Sequence, residues 1–334
     1  MSHIRFILPY PSEGGSTRFR VEQYLDKVKA AEYTFTVSTY FDEEGFRIMR
    51  SPGRTVRKGW ELFSGMRRRF RDMLDVSKED LVFVHREAFP LGTPFLERRF
   101  VRKGAKLIYD FDDAVYLPKE RALHPWLNRM RCPGKTAEII SLARVVIAGN
   151  NHLAEYAQPH NDRIVILPTA VDTDLFRPPE ETKPNPLPVI GWIGNPTGVP
   201  YLNALRPVFR RLVKQHDFLV RVIGGPWECP GVKVEWKPWQ RSTEVAEIQS
   251  FDIGVMPLPD SPWTRGKCAF KLIQYMSCGK PAVASAVGMN REVIRDGDNG
   301  FVASTEAEWV ERLDSLLRNP DRGREMGNRG RELV

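Results

Sequence analysis

A chain of 334 residues exceeds one typical domain, so two are expected. Its 42% hydrophobic and 10% aromatic residues suit substantial cores, and no apolar run reaches the roughly 18 residues of a membrane-spanning helix. The net charge of +8 is uneven: residues 1–168 hold 28 Lys and Arg against 21 Asp and Glu, whereas residues 169–334 hold 22 against 21.

The chain opens on a strand, Ile4–Leu8, too short for the apolar region of a signal peptide. Four scattered cysteines (Cys132, Cys229, Cys268, Cys278) form no C-x-x-C pair, which predicts reduced thiols in a cytoplasmic protein and no structural zinc. The turn after the first strand reads P-Y-P-S-E-G-G-S-T-R-F-R. Gly14 and Gly15 permit close approach of backbone to a ligand, and Ser16 or Thr17 can cap the next helix. Arg18 and Arg20 then sit in a first helical turn, where cations oppose the dipole unless an anion is near.

Further strands are predicted at Thr34–Ser38, Leu81–His85, Lys106–Tyr109, Val145–Ala148 and Ile164–Leu167. Helices are predicted at Thr17–Ala31, Gly59–Leu74, Gly92–Arg102, Thr136–Leu142 and Asn151–Gln158. This alternation implies a mostly parallel sheet with helices on both faces. Two basic clusters, Arg67–Arg68–Arg69–Arg71 and Arg98–Arg99–Arg102–Lys103, suit an anionic membrane surface or an acidic substrate, or else are solvated helix faces. No aromatic-and-basic signature of nucleic-acid binding accompanies them.

At a strand end stand Asp110, Asp112 and Asp113, costly together unless a cation, donors or a shared proton relieves them. They allow a metal-binding D-x-D, a phosphatase-type nucleophile, a loop facing a sugar hydroxyl, or a capping cluster. Nearby His85 and Arg86 end the preceding strand. Asp174 to Pro188, rich in proline and acid, reads as a linker.

The pattern then restarts with strands at Val189–Ile193, Leu219–Ile223, Val232–Glu235, Ile253–Pro257 and Ala282–Ala284, and helices at Tyr201–Gln215, Thr243–Ser250, Phe270–Cys278 and Glu306–Leu317. Gly191 to Gly198 lies where a phosphate-approach turn would, although it lacks G-x-G-x-x-G; Gly194 and Asn195 are its candidate ligand contacts. The richest stretch is Arg265 to Phe301. Arg265, Lys267 and Lys271 precede or open a helix, and cations at a helix N-terminus attract phosphate together with its backbone N–H groups.

Pro168 to Pro178 (P-T-A-V-D-T-D-L-F-R-P) resembles the P-N-G-V-D-x-x-x-F-x-P signature of family 4 retaining glycosyltransferases, in the subgroup with an R-G-K-C-x-F-K donor loop. Phe251 to Pro257 resembles that family's A-D-hydrophobic-P strand. Lys271–Ser285, with Gly288, Glu292, Gly297, Asn299 and Gly300, resembles its donor-site helix and the segment after it. The resemblance implies a GT-B fold, an α/β architecture of two Rossmann-like doubly wound domains facing across a cleft. It implies an acceptor domain at 1–170, a linker at 171–188 and a nucleotide-sugar domain at 189–334.

Two departures stand out. The family's pair of donor-site glutamates is replaced by Gly266 and Gln274, and its usual Arg/Lys pair near the second domain's first strand is missing, Asn195 and Thr197 occupying that loop. Relatives also usually continue into a helix crossing back to the first domain, so a truncated or unusually short member is expected.

The resemblance implies retaining, metal-independent transfer from a nucleotide-diphosphate sugar to a glycan, glycolipid or other acceptor. No cofactor beyond that donor is expected. Lys271, Lys267 and Arg265 would stabilise the departing diphosphate, Asp112 would orient the acceptor, and Gly14, Gly15, Gly194, Asn195, Gly266, Cys268, Ala269, Phe270 and Gln274 would line the donor. A cytoplasmic protein peripheral to the inner face of a membrane follows. The alternatives are a non-catalytic sugar-nucleotide-binding relative and a metal-dependent phosphohydrolase built on Asp110 and Asp112.

Overall fold

The computed structural model describes residues 3–51, 53–118, 132, 134–181 and 185–334. Twelve strands form two six-stranded sheets, and every pairing in both is parallel. The first sheet holds β1 (His3–Leu8), β2 (Thr34–Thr39), β3 (Leu81–His85), β4 (Lys106–Phe111), β5 (Val145–Ala148) and β6 (Ile164–Ile166), in the order β2-β1-β3-β4-β5-β6. The second holds β7 (Val189–Ile193), β8 (Leu219–Ile223), β9 (Lys233–Lys237), β10 (Ile253–Met256), β11 (Ala282–Ser285) and β12 (Phe301–Ala303), in the order β12-β11-β10-β7-β8-β9. The expected pair of doubly wound α/β sheets is therefore present.

Central strands read as continuous apolar runs because helices cover both faces of a parallel sheet. Every residue of β7, β10 and β11 is buried, whereas edge strands β2 and β9 are partly exposed. In the second sheet's core Phe209, Phe218 and Val222 are fully buried, each contributing on the order of 1.5–3 kcal/mol.

Contacts divide the chain into two compact units, Met1–Thr169 with Gly266–Cys268, and Ala170–Arg265 with Ala269–Val334. The expected linker groups with the second unit by these contacts; residues 182–184 of it lie outside the described residues.

Two expected helices are broken into pieces, and a helix forms where none was expected. The single helix expected at Thr17–Ala31 is three pieces, Gly15–Arg20, a 3-10 turn at Glu22–Tyr24, and Leu25–Ala30. Val21 leaves helical geometry (φ −133°, ψ −60°) and buries its side chain against Phe6 and Leu8. The helix expected at Tyr201–Gln215 is a 3-10 turn, Val199–Leu205, followed by Arg206–Leu212. Pro207 lacks the N–H that a continuous helix would use there. Beyond the helix Glu306–Arg318, residues Pro320–Leu333 form a second, unexpected helix.

Candidate functional site

In the second unit the chain enters at β7, winds to β8 and β9 on one side, and returns to β10, β11 and β12 on the other. β7 and β10 therefore flank the switch point of the sheet. Ligands of open parallel sheets bind beyond the carboxyl ends of the strands at such a point.

Beyond β7 the backbone turns at Gly194, whose N–H donates to the Ile223 carbonyl at 2.9 Å. Gly224, at the end of β8, has φ +133°, and a Cβ there would stand 1.8 Å from the Gly194 carbonyl oxygen. The two strand ends thus come together through bare backbone. Asn195 closes the turn: its carbonyl accepts from Gly198 N–H at 2.9 Å, and its Oδ1 accepts from Thr197 Oγ1 at 2.5 Å.

The helix Phe270–Ser277 begins from Ala269, held at φ +49°, and no side chain caps that end. Lys271, in its first turn, carries Nζ 5.3 Å from the centroid of the buried Trp192 ring, a cation–π distance. A Cβ on Gly194 would lie 3.0 Å from Lys271 Cε. Tyr275 on the same helix ties it to the sheet, accepting from Ile193 N–H at 3.2 Å and donating to the Val255 carbonyl at 3.3 Å. Gln274 is buried, and its Nε2 donates to Glu244 Oε1 at 3.1 Å; Trp239 Nε1 donates to the same oxygen at 3.2 Å.

Arg265, Lys267 and Lys271 each have a different partner. Arg265 pairs with Asp260 at 2.6 Å on the surface. Residues Gly266–Cys268 pack with the first unit, where Lys267 Nζ lies 3.7 Å from Asp113 Oδ1 and Cys268 Sγ donates to the Asp112 carbonyl at 3.2 Å. Burial, then the charge of Asp112, pushes the Cys268 thiol well above its ordinary value. Gly266 faces Ala114, against which a Cβ would stand 2.7 Å away. Lys271 is the cation set against the Gly194 turn.

In the first unit the carboxyl ends of β1, β3 and β4 carry the charged cluster. Asp110 is bound by Arg20, and its Oδ2 accepts from His85 Nδ1 at 2.6 Å. Arg18 and Arg20, expected in a first helical turn, lie instead in the last turn of the helix Gly15–Arg20, and Arg20 takes its anion from the protein itself. Arg86, at φ +62°, donates through Nε to Asp112 Oδ1 at 2.7 Å. Ser16 Oγ lies 3.4 Å from Asp112 Oδ2, beside the Gly14–Gly15 turn. Burial would raise the Asp112 carboxyl, but Arg86, then His85 and Arg20, outweigh it and hold it well below the usual carboxylate range. Burial acts to lower the Arg86 guanidinium, and Asp112 with Asp113 reverses this and raises it. These carboxylates are neutralised by protein cations, which speaks against their use as a bare D-x-D metal site.

Several site residues escape a sequence reading. Gly224-Gly225 follows a predicted strand and carried a usable signal. Trp192, inside an all-apolar strand, carried none, and neither did Glu244 as the partner of Gln274.

Residues 188–319, less than half of the chain, match the family described as Glycosyl transferases group 1. Among curated proteins, none matches the sequence. The structure is similar to sucrose-phosphate synthase from Thermosynechococcus elongatus (TM-score 0.73, 14% identity, covering 100% of this chain and 94% of that one). It is also similar to a glycosyltransferase from Rickettsia africae (TM-score 0.67, 14% identity, 99% and 93%) and to Anabaena HepE solved with UDP and glucose (TM-score 0.63, 12% identity, 100% and 94%). At these identities the likeness establishes the fold: two parallel six-stranded sheets with alternating helices, as in GT-B glycosyltransferases.

Proposed function

We propose that the chain is a retaining glycosyltransferase of family 4 type, moving a sugar from a nucleotide-diphosphate sugar to a glycan, glycolipid or other glycoconjugate acceptor. It works without a metal, on the cytoplasmic side, against an anionic membrane surface. The observation that carries this reading is the placement of Lys271 over Trp192 beside the Gly194 turn, at the switch point of the sheet, inside the matched residues 188–319.

Lys271, the N–H groups at the start of its helix and the Gly194–Asn195 turn bind the diphosphate. As the bond between the anomeric carbon and the phosphate oxygen breaks, negative charge grows on the diphosphate, and an ammonium held there stabilises it. The acceptor oxygen forms the new bond on the same face. Its proton passes to the departing phosphate oxygen, so retention needs no strong protein base. In the first unit, Asp112, kept ionised by Arg86, accepts a hydrogen bond from the acceptor hydroxyl. Lys267 and Arg265 act at longer range, since each already has a carboxylate partner.

The test is a thermal-shift screen with UDP, GDP, dTDP, ADP and CMP in EDTA, on the full chain and on Lys271→Ala. UDP comes first because HepE was solved with it. One diphosphate at a hundred times its dissociation constant should stabilise the chain by about 2.7 kcal/mol, and Lys271→Ala should lose most of this. No shift with any nucleotide sinks the donor site. Binding without sugar transfer to any acceptor would mark a non-catalytic relative, a reading that the replacement of the glutamate pair by Gly266 and Gln274 supports.

A further inference from the structure

The 21-residue helix Thr55–Asp75 in the first unit has two faces with opposite fates. One face seats it on the protein. Gly65 lies against the Tyr40 ring, and the wholly buried Arg69 donates to the Ala88 carbonyl at 2.8 Å and the Leu8 carbonyl at 2.5 Å. The other face carries Val56, Trp60, Phe63, Phe70 and Leu74, which are 90%, 62%, 55%, 44% and 70% exposed. With Arg67 between them, these positions step by four and three residues and so form one stripe. It runs about 27 Å along the helix.

Five of the fourteen exposed large apolar side chains of the described residues stand on this single stripe, which is far from a random scatter. Arg57, Arg67 and Arg71 are exposed on or beside it, and Arg54 is exposed just before the helix begins. Against them stands one exposed acid on the helix, Asp75 at its end; Asp72 is held by Arg69 at 2.8 Å. No helix of the described residues is long and apolar enough to cross a membrane, and this one, rich in arginine, is no exception.

We infer that this stripe is a membrane-docking face, on which the helix lies in the plane of an anionic bilayer. The apolar side chains enter the boundary between headgroups and acyl chains while the arginines meet lipid phosphates. Charge complementarity selects this occupant. A second copy of the chain fits poorly, because Arg67 lies near the midpoint of the stripe and two-fold pairing would bring like charges together in a desolvated seam. The inference rests on the membrane-facing part of the function proposed above and gives it a surface.

Sedimentation of the full chain with vesicles of phosphatidylcholine alone, and of phosphatidylcholine with phosphatidylglycerol, tests it. The expected result is selective binding to the anionic vesicles that weakens with salt. Arg57→Glu/Arg67→Glu/Arg71→Glu should lose on the order of a hundredfold in partition, at about fivefold per arginine near such a surface. Trp60→Ser/Phe63→Ser should lose about tenfold or more at unchanged charge. All five side chains are exposed, so the thermal midpoint of each variant should stay near that of the parent.

Equal binding to both vesicles, full binding by the charge-reversed variant, or no binding at all overturns the inference. So does a dimer that Trp60→Ser/Phe63→Ser converts to monomer, since a second copy would then cover the stripe. The nucleotide thermal shift is read on the same samples. Membrane binding without a nucleotide shift sinks the transferase reading alone, and the reverse sinks only the docking face.

Discussion

Single residues here do work that their types do not announce. Arg69 belongs to a basic run that reads as a solvated cluster, yet it is fully buried, donating to the carbonyls of Leu8, Ser38 and Ala88 and to Asp72. Burial lowers its guanidinium below the ordinary value, with Asp72 opposing the shift. Arg69→Ala should cost about 3–5 kcal/mol in chemical denaturation, because the carbonyls and Asp72 lose their donor inside the protein. Arg69→Lys should recover only part, since an ammonium cannot serve that fork. Gly224→Ala should cost about 1–3 kcal/mol or more, its φ and the Gly194 carbonyl both opposing a Cβ.

Asp112 supplies a pH dependence. Its folded value lies below its unfolded one, so its contribution to stability is present above about pH 4 and lost as pH falls through the depressed folded value. Asp112→Asn should flatten the acid limb of stability against pH. An unchanged limb would mean that Arg86 does not hold the carboxylate ionised.

At the scale of elements, the strands were the most legible part of the chain. β3, β5, β7 and β8 begin and end where the sequence predicts. The helix Pro320–Leu333 was not legible, because three glycines within it argue against a helix. Its reason is tertiary: a Cβ on Gly327 would stand 2.1 Å from the Gly279 carbonyl, so glycine is what lets the helix reach that turn. Arg331 then donates to the carbonyls of Thr173, Phe176 and Ser277, joining the helix to the start of the second unit. The preceding helix, Glu306–Arg318, carries a full capping box between Thr305 and Glu308. Thr305→Ala should lower stability by about 1 kcal/mol, read as a fall in the thermal midpoint.

At the scale of the whole molecule, each unit has its own sheet and its own cluster beyond the strand ends. A diphosphate bound at the Lys271 site should slow amide exchange at Gly194–Gly198, Gly224 and the first turn of the helix Phe270–Ser277, and leave β1 to β6 unchanged. Protection confined to the first sheet would place the nucleotide elsewhere.

The sequence by itself determined the class of fold and the count of units, because alternating apolar runs and helical patterns leave a parallel sheet few other ways to bury itself. It also offered Lys271, Gly194 and Asp112 as candidates, from their places at predicted strand and helix ends. What only the tertiary structure decided was which charges meet. Arg265, Lys267 and Lys271 are neighbours in sequence, but each has a different partner, because a loop's side chains follow the backbone's turns and not its order. Arg20 finds Asp110 across 90 residues, and the Arg67–Arg71 run splits into buried and exposed members at the period of its helix. Pairing energies fall off within a few ångströms, and only the fold sets those distances.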